Sequence, residues 1–93
     1  MKKELLEMLS KLEETNDVMD FFEDEDGLFV EFNNVEGFDE DDELIERDYV
    51  NEELVYQVLD FLDKNCKSQG GDLYEEFVFD DFNVLVGYSS YHI

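Results

Sequence analysis

The sequence predicts an α+β fold, in which a small antiparallel sheet carries two helices packed on one face. Two segments have apolar residues at helical spacing, and the segments between and after them are rich in aromatic and β-branched residues bounded by turn signals. The chain is 43% hydrophobic, with nine Phe and five Tyr in 93 residues, which is enough for one small core. We therefore predict a single domain over residues 1–93, with the element order α-β-β-(β)-α-β-β.

The first predicted helix covers residues 3 to about 15. Leu5, Leu9 and Leu12 recur at helical spacing, and the opposite face consists of Lys and Glu. The polar run Thr15-Asn16-Asp17 then interrupts the pattern, so we expect the helix to end there.

Residues 18–35 are interpreted as a β-hairpin with arms at 18–22 and 28–32. Asp26-Gly27 lies between the arms and is a strong signal for a hairpin turn. The alternative is that the first helix continues through Phe22, because Val, Met and Phe in the first arm also fit a helical face.

An acidic loop is predicted for residues 36–43, and residues 44–50 are expected to add a short strand. Asn51 is a good N-cap for the second helix, which is predicted to run to about Lys67 and to end before Gly70-Gly71. The apolar face of this helix consists of Leu54, Val55, Val58, Leu59, Leu62 and Cys66.

Two more strands are predicted at the end of the chain, at residues 73–79 and 84–91. They flank Asp80-Asp81-Phe82-Asn83, which is suited to a four-residue turn.

Charge is the most unusual property of the chain, because 28 acidic residues against six basic ones give a formal net charge of −22. From Leu12 to Asp63 inclusive the only cation is Arg47, and 21 carboxylates share that stretch. Self-repulsion at this level destabilises a compact fold, so the imbalance predicts a strongly basic partner. Since duplex DNA carries one charge per about 1.7 Å, 22 charges match roughly 37 Å of duplex. We expect no direct binding to nucleic acid or to a membrane, but the protein could occupy a surface that binds DNA.

Residues that carry catalytic chemistry are scarce. The chain has one histidine, His92, and one cysteine, Cys66, which lies on the apolar face of a predicted helix and is therefore interpreted as a core residue. The EF-hand template places Phe22 or Phe32 at the first ligand position, where calcium needs an oxygen ligand. We predict that the protein is not an enzyme and has no catalytic residues, no metal site and no cofactor.

The predicted partner-binding surface consists of acidic residues with three aromatic residues among them. Phe38 and Tyr49 are the candidate anchors, because exposed aromatic side chains amid charge are typical of interfaces; core packing is the alternative for both. Four residues on the outward face of the second helix, Glu53, Tyr56, Asp60 and Asp63, have no cation among them. Like charges three or four residues apart on a helix cost stability. The whole predicted surface comprises Glu23, Asp24, Glu25, Asp26, Glu36, Phe38, Asp39, Glu40, Asp41, Asp42, Glu43, Glu46, Asp48, Tyr49, Glu53, Tyr56, Asp60 and Asp63.

In overall character the chain resembles the DNA-mimic inhibitors encoded by phages and mobile elements, which include anti-CRISPR and anti-restriction proteins. The features shared are small size, extreme acidity, a single α+β domain and a composition without Ala or Pro. The resemblance implies that acidic side chains stand in for phosphates and block the DNA-binding site of a host defence nuclease. A Cas9-type enzyme, blocked where it reads the PAM duplex, is the implied target.

Two alternatives remain at this point. An immunity protein that caps a basic nuclease toxin would have the same composition, and a non-inhibitory adaptor subunit could use its acidic face only for solubility. The single cysteine and the absence of an apolar N-terminal run predict a cytoplasmic protein, in the host cytoplasm if the gene belongs to a phage. The sequence leaves open whether the chain forms a homodimer.

Overall fold

A computed structural model describes residues 2–72 and 74–92, which contain two helices and six strands. The helices are α1 (Lys2–Glu14) and α2 (Glu52–Asn65). The strands are β1 (Val18–Asp24), β2 (Gly27–Phe38), β3 (Leu44–Glu46), β4 (Ser68–Gly70), β5 (Glu75–Val78) and β6 (Asn83–His92). The α+β class and the predicted order of elements are confirmed, and β4 is an additional short strand that was not predicted.

The strands form one open sheet in the order β1-β2-β6-β5-β4, with β3 paired to the far end of β2. Strands β2 and β6 run parallel, with Leu28 opposite Val84, whereas the other described pairs are antiparallel. The prediction of an antiparallel sheet is therefore wrong at its central pair. Each hairpin is local and antiparallel, but the relative direction of the two hairpins is set by the long connection through α2, and such a crossover allows parallel neighbours.

Both helices pack on one face of the sheet, as predicted, and we call this the covered face. Because side chains alternate along a strand, Leu28, Val30 and Phe32 of β2 lie on this face, and all three are buried. They form one cluster with the buried side chains of both helices and of β6. These partners are Leu5, Leu9, Leu12, Val55, Val58, Leu62, Val84 and Val86. The alternate residues of the same strands form the opposite, open face.

Several element boundaries differ from the predictions. The hairpin over β1 and β2 is confirmed against the helical alternative, but β2 continues to Phe38, so residues 36–38 belong to a strand and not to the acidic loop. Helix α2 ends at Asn65 and not near Lys67, with Cys66 as its C-cap. Strand β5 is shorter than the predicted 73–79, of which residue 73 lies outside the described residues.

A buried carboxylate joins the end of α1 to the start of α2. Asp17 is fully buried, and its carboxylate accepts hydrogen bonds from the amides of Val50 at 2.8 Å and Asn51 at 2.7 Å. It also accepts a bond of 2.8 Å from the Thr15 hydroxyl. Asn51 is the N-cap of α2, as predicted, because its side chain accepts a bond from the amide of Leu54. Asp17 therefore holds the N-terminus of α2 against the first strand.

Candidate partner-binding surface

Two acidic turns lie side by side at one end of the sheet, and we call residues 23–27 and 80–83 the hairpin end. Asp24 Oδ1 accepts hydrogen bonds from the amides of Asp26 at 2.8 Å and Gly27 at 3.2 Å, which organises the β1–β2 turn. Gly27 has a φ of +140°, and a Cβ there would lie 2.5 Å from the carbonyl oxygen of Asn83. Glycine at this position therefore allows the first turn to approach the start of β6.

A cavity of about 390 Å³ lies between these two turns. Its lining includes the four predicted carboxylates at 23–26 and two that were not predicted, Asp80 and Asp81. The sequence placed Asp80 and Asp81 in a turn, but their position beside the first turn depends on the pairing of β2 with β6, which has no local signal. Lys2 forms an ion pair with Glu23, and Lys67 forms one with Asp80, so part of the negative charge of the hairpin end is neutralised within the protein.

The loop at residues 39–43, between β2 and β3, is organised by Asp39. The Asp39 carboxylate accepts hydrogen bonds from the amides of Asp41 and Glu43, both at 2.9 Å. Asp42 has a φ of +62°, a backbone region in which aspartate is tolerated more readily than most residues. Asp39 therefore has a structural role in the loop, and it is partly buried. The other four predicted carboxylates of the loop, including Glu40, are exposed.

A second cavity, of about 250 Å³, brings together predicted residues from β2, β3 and α2, and we call it the Arg47 cavity. Glu36 and Glu46 lie directly opposite each other on β2 and β3, a like-charge pair that destabilises a sheet. Arg47 lines the same cavity and brings a positive charge close to this pair. The full lining consists of Val35, Glu36, Glu46, Arg47, Asp48, Tyr49, Glu52 and Tyr56, of which Val35, Arg47 and Glu52 were not predicted.

The three predicted aromatic residues differ in exposure. Tyr49 packs against the core, and burial raises the pKa of its hydroxyl above the ordinary value. The negative charge of Asp17 raises this pKa further, while Arg47 acts in the opposite direction. Phe38 and Tyr56 are 47% and 57% exposed. These two therefore offer a partner more apolar area than Tyr49 does.

The outward face of α2 is less purely anionic than predicted. Lys64 forms an ion pair of 2.8 Å with Asp60, one helical turn earlier, and this hydrogen bond raises the pKa of Lys64. The expectation that no cation accompanies this face is therefore wrong. Asp63 accepts a hydrogen bond from the Gln69 side chain. The four predicted residues of this face, Glu53, Tyr56, Asp60 and Asp63, are all exposed.

The predicted surface is spread along an elongated molecule. The principal extents are 45 × 27 × 22 Å, and 22 net charges over 45 Å amount to one per about 2 Å. The hairpin end and the 39–43 loop lie beyond opposite ends of β2, which at the usual rise per residue are roughly 35 Å apart. The structure thus gathers most of the predicted residues into two acidic groups, one at the hairpin end and one around the loop and the Arg47 cavity. The α2 face adjoins the second group through Tyr56, which lines the cavity.

Other kinds of site receive no support from the described residues. Within residues 2–72 and 74–92, no group of three or more His, Cys, Asp or Glu side chains is placed to hold a metal ion. The described helices include none that is long and apolar enough to cross a membrane. Comparison of the chain with protein-family models, curated proteins and solved structures finds no match. Geometry and charge are therefore what bears on function.

Proposed function

We propose that the protein is a DNA mimic that binds the DNA-binding site of a basic nuclease and thereby inhibits it. The observation that carries the proposal is the charge per length, one net charge per about 2 Å along a 45 Å axis. Duplex DNA carries one per about 1.7 Å. The proposed target is a host defence nuclease, and a Cas9-type enzyme is the first to test, because such enzymes read the PAM duplex with arginine side chains.

The spacing of the acidic groups supports the same proposal. Carboxylates at the hairpin end and around residues 39–43 are separated by about the length of ten base pairs, at roughly 3.4 Å per pair. A basic groove that follows a duplex can therefore contact both groups at once. The opposed pair Glu36 and Glu46 adds negative charge to the second group, next to Arg47 in the same cavity. Long-range attraction should also make association fast and sensitive to salt.

A gel-shift competition tests the proposal. A guide-loaded Cas9-type nuclease is mixed with labelled duplex that contains the PAM, and this protein is titrated into the complex. We expect displacement of the duplex, with an apparent affinity that falls as salt rises. Binding of both ligands at the same time with unchanged affinities would contradict mimicry. A basic nuclease toxin in a parallel assay tests the immunity-protein alternative.

A matched pair of charge reversals locates the contact. Reversal of Glu40, Asp41 and Glu43 to Lys spares Asp39, which organises the loop, and it should weaken competition strongly because it sets like charges against a basic surface. The control reverses Glu7, Glu13 and Glu14 of α1, which are exposed, lie outside the predicted surface and change the net charge equally. Equal loss in both variants would mean that only total charge matters and that the loop is not a contact.

A further inference from the structure

The open face of the sheet has an apolar groove that the predicted surface does not include. Phe22 and Phe29 lie opposite each other on β1 and β2, and their rings stack with centroids 5.0 Å apart. Phe22 is 52% exposed and Tyr74 is 46% exposed. Together with Leu85 of β6 these side chains line a groove of about 200 Å³. The helices pack on the other face, so the described part of the chain leaves this groove uncovered.

One wall of the groove is built by a close contact between Tyr74 and the backbone of β6. A Cβ on Gly87 would lie 2.4 Å from Cε1 of the Tyr74 ring, so only glycine allows the ring to rest against the strand there. Gly87 pairs with Glu31 across the sheet. The ring is thus held beside an acidic residue and the stacked phenylalanines.

The rim of the groove is anionic. Asp20 and Glu31 both line it, and they are paired directly opposite each other on β1 and β2. Like charges in this position destabilise a sheet. Within the described part of the chain, no ion pair joins Asp20 or Glu31 to a cation, whereas Lys2, Lys64 and Lys67 pair with other carboxylates.

We propose that this groove is a binding site for an arginine side chain on an apolar segment of a basic partner. The guanidinium lies between the carboxylates of Asp20 and Glu31, and its planar face and methylene stem contact Phe29 and Tyr74. Arginine fits better than lysine because its fork binds carboxylates in bidentate fashion, stacks on aromatic rings and is less strongly hydrated. A second copy of this chain fits poorly because it presents the same negative charge. The inference rests on the proposed function only for the basic character of the partner.

An NMR titration tests the site without the natural target. The probe is a short peptide of alternating arginine and leucine, added to isotope-labelled protein at about 0.15 M salt, where distant charges are screened. We expect saturable shifts concentrated at the amides of residues 20–22, 29–31 and 85–87. The matched lysine–leucine peptide, of equal charge, should bind about fivefold more weakly because it lacks bidentate and stacking contacts.

Two variants sharpen the test. Glu31→Gln should weaken the arginine peptide about fivefold, because one charge-assisted contact is lost, while Glu13→Gln on α1 should leave its affinity unchanged. Asp20→Asn provides a second variant if Glu31→Gln alters the fold by circular dichroism.

Three outcomes would overturn the site. One is equal affinity for the two peptides, and another is a set of shifts concentrated at the acidic turns or the 39–43 loop. The third is a dimer in sedimentation that Phe22→Ser dissociates, because a second copy would then occupy the groove. Each can occur while DNA competition succeeds, so failure here is distinguishable from failure of the proposed function.

Discussion

The covered and open faces of the sheet are formed by alternate residues of the same strands, yet their side chains differ in burial and in hydrogen bonding. Phe32 is fully buried beneath the helices, whereas Phe29 faces the open side beside an exposed Phe22. Near the covered face, the Asp17 carboxylate has hydrogen bonds to both oxygens, while Asp20 on the open face lies opposite another carboxylate. Acidity is therefore not uniform in this protein. The fold satisfies the carboxylate it needs, and it holds others together at a cost that a basic partner can relieve.

The largest expected effect is on the free energy of unfolding, when one phenylalanine on each face is truncated to alanine. Phe32→Ala should lower the free energy of unfolding by about 3–5 kcal/mol, because it leaves a cavity in the core. Phe29→Ala removes a half-buried ring that has no helix above it, so the loss should be about 1 kcal/mol. Urea denaturation measures both values. Equal losses would mean that the open face is covered in solution.

The second prediction concerns the buried carboxylate. Asp17→Asn should destabilise the protein by about 2 kcal/mol, because an amide NH₂ would replace one acceptor oxygen and face a backbone N–H that is then left without a partner. The control is Asp41→Asn in the exposed loop, where the change should stay within about 0.5 kcal/mol. If thermal or urea unfolding shows the two variants to be alike, Asp17 does not hold the start of α2.

The third prediction has the opposite sign and applies to the open face. Glu31→Lys should stabilise the free protein by about 0.5 kcal/mol, since it places a cation opposite Asp20 where a like charge stood. The same variant should lose the arginine peptide. Glu13→Lys, at an exposed position of α1 outside the acidic turns, changes the net charge equally and serves as the control. An equal gain from both variants would attribute the effect to net charge and not to the opposed pair.

The smallest expected effect appears only in alkaline solution and comes from the ionisation of two tyrosines at the margin of the covered face. Burial raises the pKa values of Tyr49 and Tyr88 above the ordinary value. The folded state then binds these protons more tightly than the unfolded state does, so the contribution to stability is present below about pH 10 and is lost as pH rises through the folded pKa values. Tyr49→Phe should therefore lose less stability than the parent between about pH 10 and pH 11. Parallel urea titrations at the two pH values measure this, and an identical loss would show that Tyr49 is not a source of it.

Local signals predicted the parts of the fold that depend on neighbours in sequence. The Asp26-Gly27 turn, the Asn51 cap and the apolar face of α2 were all predicted, because each follows from a few adjacent residues. The ion pair between Asp60 and Lys64 also has a local signal, the i,i+4 spacing of the two residues. The parallel pairing of β2 with β6 was not predictable in this way, because its partners lie more than fifty residues apart.

In the candidate site, too, some features follow from the sequence alone and others depend on the tertiary structure. Composition alone determined that the protein is strongly anionic, because charge adds over residues wherever the chain places them. The proposal of a basic partner starts from that charge. Only the tertiary structure decided which carboxylates become neighbours: Asp80 and Asp81 beside the first turn, Glu36 opposite Glu46, and Asp20 opposite Glu31. It also decided that Phe22, Phe29 and Tyr74 share one uncovered groove. Strand register and the path of α2 set these positions. Both depend on the packing of the whole core, to which every buried residue contributes, because that packing must outweigh the entropy lost when long loops close.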